Sequence, residues 1–235
     1  ERTAFLHVAD IWMERGLNLP GSVPRPIETI LSEGQNLMVQ VLKDPIGSKG
    51  ARLTTQMSIA GRLLVYLTQD RHIGISQRIG GEAEREQLRA RIQRLVPVDE
   101  PGGFIARTMA VRASDEELAS DIAYLRRTWL EILNRSANAK APEMLHHDLT
   151  LAQRVLRDLV SPETTRVIID SRENFQKLST FAQEYMPQVV GLLEHYTGAR
   201  PLFELHGIED EIQKALARRV DLKSGGYLIF DQTEA

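Results

Sequence analysis

The alternation of apolar and polar positions divides the chain into stretches of different character. Residues 36–43 (Asn-Leu-Met-Val-Gln-Val-Leu-Lys) and 51–57 are rich in branched and apolar side chains and predict two strands. The run Asp44-Pro45-Ile46-Gly47-Ser48-Lys49-Gly50 between them predicts a turn. Ahead of them, Pro20-Gly21-Ser22-Val23-Pro24-Arg25-Pro26 predicts a loop, because neither a helix nor a central strand absorbs so many prolines. Short strands beside a long interrupted loop suggest a small β-barrel, incomplete at its N-terminus. Residues 62–68 and 73–79 predict two further strands around the polar turn Gln69-Asp70-Arg71-His72. Leu88, Ile92 and Leu95 recur at helical spacing and predict a helix over 82–95. Pro101-Gly102-Gly103 then breaks the chain before a short strand at 104–108. Ser114-Asp115-Glu116-Glu117 has the capping-box pattern and predicts the start of a long helix running to about Asn134.

From about residue 148 the order becomes helix, strand, helix, helix, strand. Residues 151–159 and 208–220 carry helical periodicity. The apolar runs Val167-Ile168-Ile169-Asp170 and Tyr227-Leu228-Ile229-Phe230-Asp231 each end in Asp, as buried strands often do. The whole reads as α+β or mixed, without internal repeats.

Composition narrows the function classes. The chain has 235 residues, 42% hydrophobic and 26% charged, which allows two small domains or one large one and argues against global disorder. No apolar run approaches the roughly 18 residues of a membrane helix, so no membrane span is expected. Cysteine is absent, which excludes disulfides, thiol nucleophiles and Cys-held zinc, and fits a cytoplasmic location. Without an initiator Met or a signal-peptide pattern, the chain is expected to begin inside a longer protein. The net charge of −3 conceals an asymmetry: residues 43–112 carry 12 basic against 7 acidic side chains. Arginine dominates the basic set, 23 to 6 over lysine, and suits phosphate contact and stacking on bases as well as a merely solvated surface.

Candidate chemistry is sparse. Asp170 and Asp231 close apparent strands; two such carboxylates side by side would hold Mg²⁺, though an Asp there more often caps the next turn. In His146-His147-Asp148 adjacent side chains point apart, which disfavours convergence on one ion. No nucleophile elbow, Walker sequence, zinc-protease motif or dinucleotide fingerprint occurs. Two basic sites remain. Lys49 is expected at the tip of a flexible loop between strands, where backbone amides and an ammonium can meet a phosphate. Arg107-Thr108 follows a glycine break and offers a guanidinium, a hydroxyl and nearby N–H groups to a terminal phosphate.

Longer stretches carry a resemblance. Gln40 to Thr55, Gly74-Ile75-Ser76-Gln77-Arg78-Ile79 and Ile105-Ala106-Arg107-Thr108 resemble the bacterial ribonuclease E/G family. So do Leu193-Glu194-His195-Tyr196-Thr197-Gly198 and Leu222 to Ala235, which are closest to its G branch. The resemblance runs through essentially the whole chain in the family's order.

That resemblance implies an endoribonuclease of single-stranded, often AU-rich RNA. It implies a partial S1 (OB-like) β-barrel over residues 1–56, an α+β 5′-sensor over 57–150 and an incomplete, structural RNase H-like α/β subdomain over 151–223. Residues 224–235 would open a DNase I-like subdomain. By the same resemblance, Arg107 and Thr108 grip a 5′-monophosphate, Gly61 and Val65 contact the terminal nucleotide, and Phe5 and Lys49 hold the RNA near the cut. An aromatic ring stacks on any base and a lysine neutralises backbone charge, which agrees with those last two roles. Where some members have two arginines before the isoleucine, this chain has Gln77-Arg78.

The family's metal-binding aspartates and zinc-sharing cysteines match no position in these 235 residues, so the resemblance implies no catalytic or metal residue here. Mg²⁺, zinc and a homo-oligomer are expected for a longer parent protein. The expected role is therefore the RNA-binding, 5′-monophosphate-sensing portion of a Mg²⁺-dependent endoribonuclease, itself inactive. The alternatives are a stand-alone RNA-binding regulator and a metal-dependent hydrolase using Asp170 and Asp231.

Overall fold

The computed structural model describes residues 3–13 and 26–231. Of the predicted 20–26 loop, only Pro26 falls among them. The chain divides into two compact units, residues 1–148 and 149–235.

In the first unit, β1 (Phe5–Leu6), β2 (Gln40–Lys43) and β3 (Arg52–Thr54) form a sheet in the order β1-β3-β2. β1 runs parallel to β3, with Phe5 opposite Arg52, and β2 runs antiparallel to it. Among the described residues β1 and β2 each pair only with β3, so they form no closed barrel; an incomplete one was expected. The strands expected over 36–43 and 51–57 also shorten to four and three residues.

A second sheet contains β4 (Ser58–Ala60), β5 (Leu64–Leu67), β6 (Ile73–Ile75) and β7 (Gly103–Ala106) in the order β4-β5-β7-β6. β6 stops at Ile75, short of the expected residue 79, because the chain turns as Ile79 N–H donates back to Ser76 O. Alternation along β5 turns Leu64 and Tyr66 inward, where they meet Phe104 and Ala106 of β7. Two helices cover that face: α1 (Glu82–Leu95), at the predicted bounds, and α2 (Asp115–Ser136), opened by the predicted Ser114–Glu117 capping box. Leu88 and Ile92 of α1 and Leu118, Ile122, Leu125 and Trp129 of α2 complete one core. Full burial of such a side chain stabilises by about 1.5–3 kcal/mol.

The start of β7 shows why Gly102-Gly103 is needed. A Cβ on Gly103 would lie 2.2 Å from His72 O and 2.3 Å from Asp70 O, so glycine lets the 69–72 loop press onto the strand. Beside it, buried Glu100 accepts the Tyr66 hydroxyl at 2.6 Å and pairs with Arg126. Its desolvated carboxylate is thus paired and hydrogen-bonded.

The second unit begins with α3 (Leu151–Leu159), for which Thr150 and Gln153 form a capping box. β8 (Val167–Ile169) pairs in parallel with β9 (Leu193–His195), and α4 (Arg172–Tyr185) buries Leu178, Phe181 and Ala182 in the same core. Beyond the short α5 (Leu202–Leu205), the helix expected over 208–220 is α6 (Ile208–Leu216) only. Arg219 to Asp221 extends as β10, antiparallel to β11 (Tyr227–Ile229), with Val220 opposite Leu228 and the Arg219 guanidinium 4.2 Å from the Tyr227 ring centroid. Cross-strand pairing has overridden the helical periodicity at this end. β11 is not the buried strand its composition suggested: all three of its residues are exposed.

Candidate functional site

Arg107 leaves the end of β7 toward the turn that joins β4 to β5. Its backbone N–H donates to Leu63 O at 2.8 Å, and its Nη1 donates to Gly61 O at 2.6 Å. The turn is closed by Gly61 N–H donating to Leu64 O at 2.8 Å. Arg107 and Gly61, brought together in the sequence only by resemblance, are thus in direct contact. Thr108 is exposed at the start of a 3₁₀ turn running to Arg112, in which Ala110 N–H donates to Arg107 O at 3.0 Å. Val65 is half-buried on β5 opposite Ala60 and Ile105, facing away from the core that takes Leu64 and Tyr66. A guanidinium steadied by carbonyl oxygens, with a hydroxyl one residue on, has the planar fork that suits an oxyanion.

A side chain that sequence reasoning missed holds this turn. Asp121 of α2 accepts the backbone N–H groups of Arg62, Leu63 and Leu64 at 3.1, 3.0 and 2.8 Å. Its carboxylate sits so close that a Cβ on Gly61 would be 2.6 Å from Oδ2, which is why glycine stands there. Burial pushes the Asp121 carboxyl above its ordinary pKa, while the three N–H donors and the Arg107 charge pull the other way. Asp121 falls on the same helical stripe as Leu118, Ile122 and Leu125, and an acid on an apolar stripe was the available signal. Arg62 was missed too. Its Nε is closed off from solvent without an acceptor, and its Nη1 is 3.9 Å from Glu117.

Phe5 and Lys49 belong to the other sheet of this unit. Phe5 is 57% exposed on β1. Lys49 is not at the tip of its turn. Gly47, at φ +57°, and Ser48 occupy the tip, while Lys49 closes it by donating its N–H to Ile46 O at 3.0 Å. A Cβ on the following Gly50 would fall 1.7 Å from Thr3 O, so glycine lets this turn lie against the chain entering β1.

The metal candidates do not assemble. Asp170 follows β8 and Asp231 lies just beyond β11, in different two-stranded sheets, and Asp231 pairs with Arg218. His146 and His147 are both exposed. Among the described residues no group of three or more His, Asp or Glu side chains is placed to hold a metal ion. No described helix is long and apolar enough to cross a membrane.

Comparison with known proteins places this geometry in context. Residues 58–235 match the sequence model of the Ribonuclease E/G family. The chain is 46% identical over 239 residues to ribonuclease G of Escherichia coli strain K12, covering all of this chain and 48% of that protein. It is 41% identical over 240 residues to ribonuclease G of Haemophilus influenzae, again covering all of this chain and 48% of that protein. Ribonuclease E of a Nostoc species is 33% identical over 239 residues, covering the whole chain and 34% of that protein. The chain therefore spans about half the length of the ribonuclease G relatives. Among solved structures, the Staphylococcus aureus RNase P protein aligns over 30% of this chain and 78% of that one, with TM-score 0.26 and 19% identity, too slight a likeness to inform the fold.

Proposed function

The chain belongs to the ribonuclease E/G family, and on that premise we propose that it is the RNA-binding and 5′-monophosphate-sensing portion of a single-strand-specific endoribonuclease. Arg107 and Thr108 receive the terminal phosphate, and Gly61 and Val65 form the wall against the first nucleotide. Phe5 stacks on a base and Lys49 neutralises a phosphate further along the strand. One observation carries the reading: the Arg107 guanidinium is fixed on the Gly61 carbonyl at 2.6 Å, at a strand end, one residue from an exposed hydroxyl. Such a prepared fork suits a monophosphate, and a bulkier triphosphate is refused by fit.

In this reading the three-stranded sheet is part of an S1-type barrel, the four-stranded sheet with α1 and α2 is the 5′-sensor, and the second unit is an RNase H-like scaffold. The Mg²⁺ that such an enzyme uses to activate water does not fit the residues described here. Asp170 and Asp231 sit in separate sheets and no ligand cluster forms. With no cysteine in the sequence, a cysteine-held zinc has no ligand either. Both metals, the catalytic step and homo-oligomer assembly are assigned to the remainder of a longer, cytoplasmic protein, and this chain is not expected to cleave RNA.

The test is fluorescence anisotropy of one short single-stranded RNA with 5′-monophosphate, 5′-triphosphate or 5′-hydroxyl ends at fixed salt. We expect tightest binding of the monophosphate and loss of that preference in Arg107→Ala. Equal binding of all three ends by the folded protein would refute the sensing role. Mg²⁺-dependent cleavage that survives repurification would refute the inactivity.

A further inference from the structure

At the other end of the four-stranded sheet lies an open cleft of about 770 Å³ that none of the assigned residues lines. The β5 strand separates it from the Gly61–Arg107 corner by about 13 Å, four residues at about 3.3 Å each. Its walls are Trp12, the loop carrying Gln69, Arg71 and His72, and the Arg89 and Gln93 side of α1. We propose that this cleft is a second RNA-binding subsite, in which a base of a single strand stacks on Trp12 while Arg71 and Arg89 take the flanking phosphates.

The walls are built rather than incidental. Trp12 is partly exposed, and its backbone N–H donates to Thr55 Oγ1 at 2.7 Å, which anchors the indole's backbone beside β3. The loop is fixed by Gly103 beneath it, by Phe104 N–H donating to His72 O at 3.0 Å and by His72 N–H donating to Asp70 Oδ1 at 3.1 Å. Asp70 is the one acid among the described residues lining the cleft, and its Oδ1 accepts the His72 N–H. Among the described residues no carboxylate pairs with Arg71, and Arg89 pairs only with Glu86 one turn away on an exposed helix face. Gln69 Oε1 is closed off from solvent without a donor among the described residues. An aromatic platform flanked by arginines binds single strands with little regard to sequence, because every base has a π-face and every linkage a charge. The cleft also lies in the basic stretch 43–112 except for Trp12.

The chain has only two tryptophans, and Trp129 is buried at 9% exposure in the first unit's core, so emission changes on titration report chiefly on Trp12. The probe is a short single-stranded oligoribonucleotide with a 5′-hydroxyl, which offers nothing to a monophosphate pocket. It is titrated into the whole chain at fixed salt, with fluorescence and anisotropy read together. We expect quenching that saturates with binding, absent in Trp12→Phe although that variant still binds. Trp12→Ala should weaken affinity at least fivefold, the lower end of base-stacking losses. Arg71→Ala should reduce the salt dependence by about one phosphate contact. The 5′-hydroxyl probe carries no terminal phosphate, which separates the cleft from the proposed 5′-end site. Binding without quenching, no binding, or wild-type affinity and salt slope in Arg71→Ala would each overturn the proposal. Arg71→Ala replaces an exposed side chain, so it remains informative if Trp12→Ala fails to fold.

Discussion

Replacing Asp121 with alanine should loosen the corner on which Arg107 rests. The substitution leaves three backbone N–H groups, those of Arg62, Leu63 and Leu64, without their shared acceptor. A hydrogen bond to a charged group contributes about 1.5–3 kcal/mol, which would put the total loss well above the usual range for one substitution. Two terms reduce it: the turn is only partly buried, so water enters the vacated space, and the desolvation cost of the carboxylate disappears with it. We therefore expect about 2–4 kcal/mol, or a fall of about 5–15 °C in Tm for a unit of this size. Asp121→Asn should cost less, about 1–2 kcal/mol. Its single oxygen, placed where Oδ2 stands, keeps the Leu63 and Leu64 bonds but turns an NH₂ toward the Arg62 N–H. The assay is urea unfolding followed by the emission of Trp129, which lies on the same helix and in the same core. A change below about 0.5 kcal/mol in Asp121→Ala, the size of an ordinary surface substitution, would refute the claim that this carboxylate holds the turn.

Three further outcomes follow from the same contacts. Because burial raises the Asp121 pKa above 3.8, the native state binds the proton more tightly than the unfolded chain. This group's contribution to stability should therefore fall as pH rises from 3.8 through the raised value, and be flat above it; urea midpoints against pH should lose that slope in Asp121→Asn. Gly103→Ala sets a Cβ 2.2–2.3 Å from two backbone oxygens of the 70–72 loop and should cost about 3 kcal/mol or more, readable as a drop in Tm and altered Trp12 emission. Tyr66→Phe removes the 2.6 Å bond to Glu100 but leaves Gly102 N–H and Arg126 on that carboxylate, so its unfolding free energy should fall by only about 1–2 kcal/mol.

What was legible in the sequence was what is written locally or in long runs. The periodicity of Leu88, Ile92 and Leu95 set the bounds of α1, and the Ser114–Glu117 box set the start of α2, because both depend on residues within one or two turns. The same local logic overshot at 208–220, where helical spacing persisted into residues that pair as β10 with β11. The family was legible because several stretches match over many consecutive positions. The apolar run at 227–231 misled, since apolar composition states a preference for burial and not whether a partner surface is present.

The sequence by itself determined the mixed α+β class, the two helices that cover the four-stranded sheet and membership of the ribonuclease E/G family. Tertiary structure alone decided that Asp121, 57 to 59 residues along the chain, caps the turn under Arg107, and that Trp12 and the 69–72 loop line one cleft. The physical reason is range. Helix periods and caps are satisfied by near neighbours, whereas a buried carboxylate or a cleft wall takes its partners from whichever strands the core brings together.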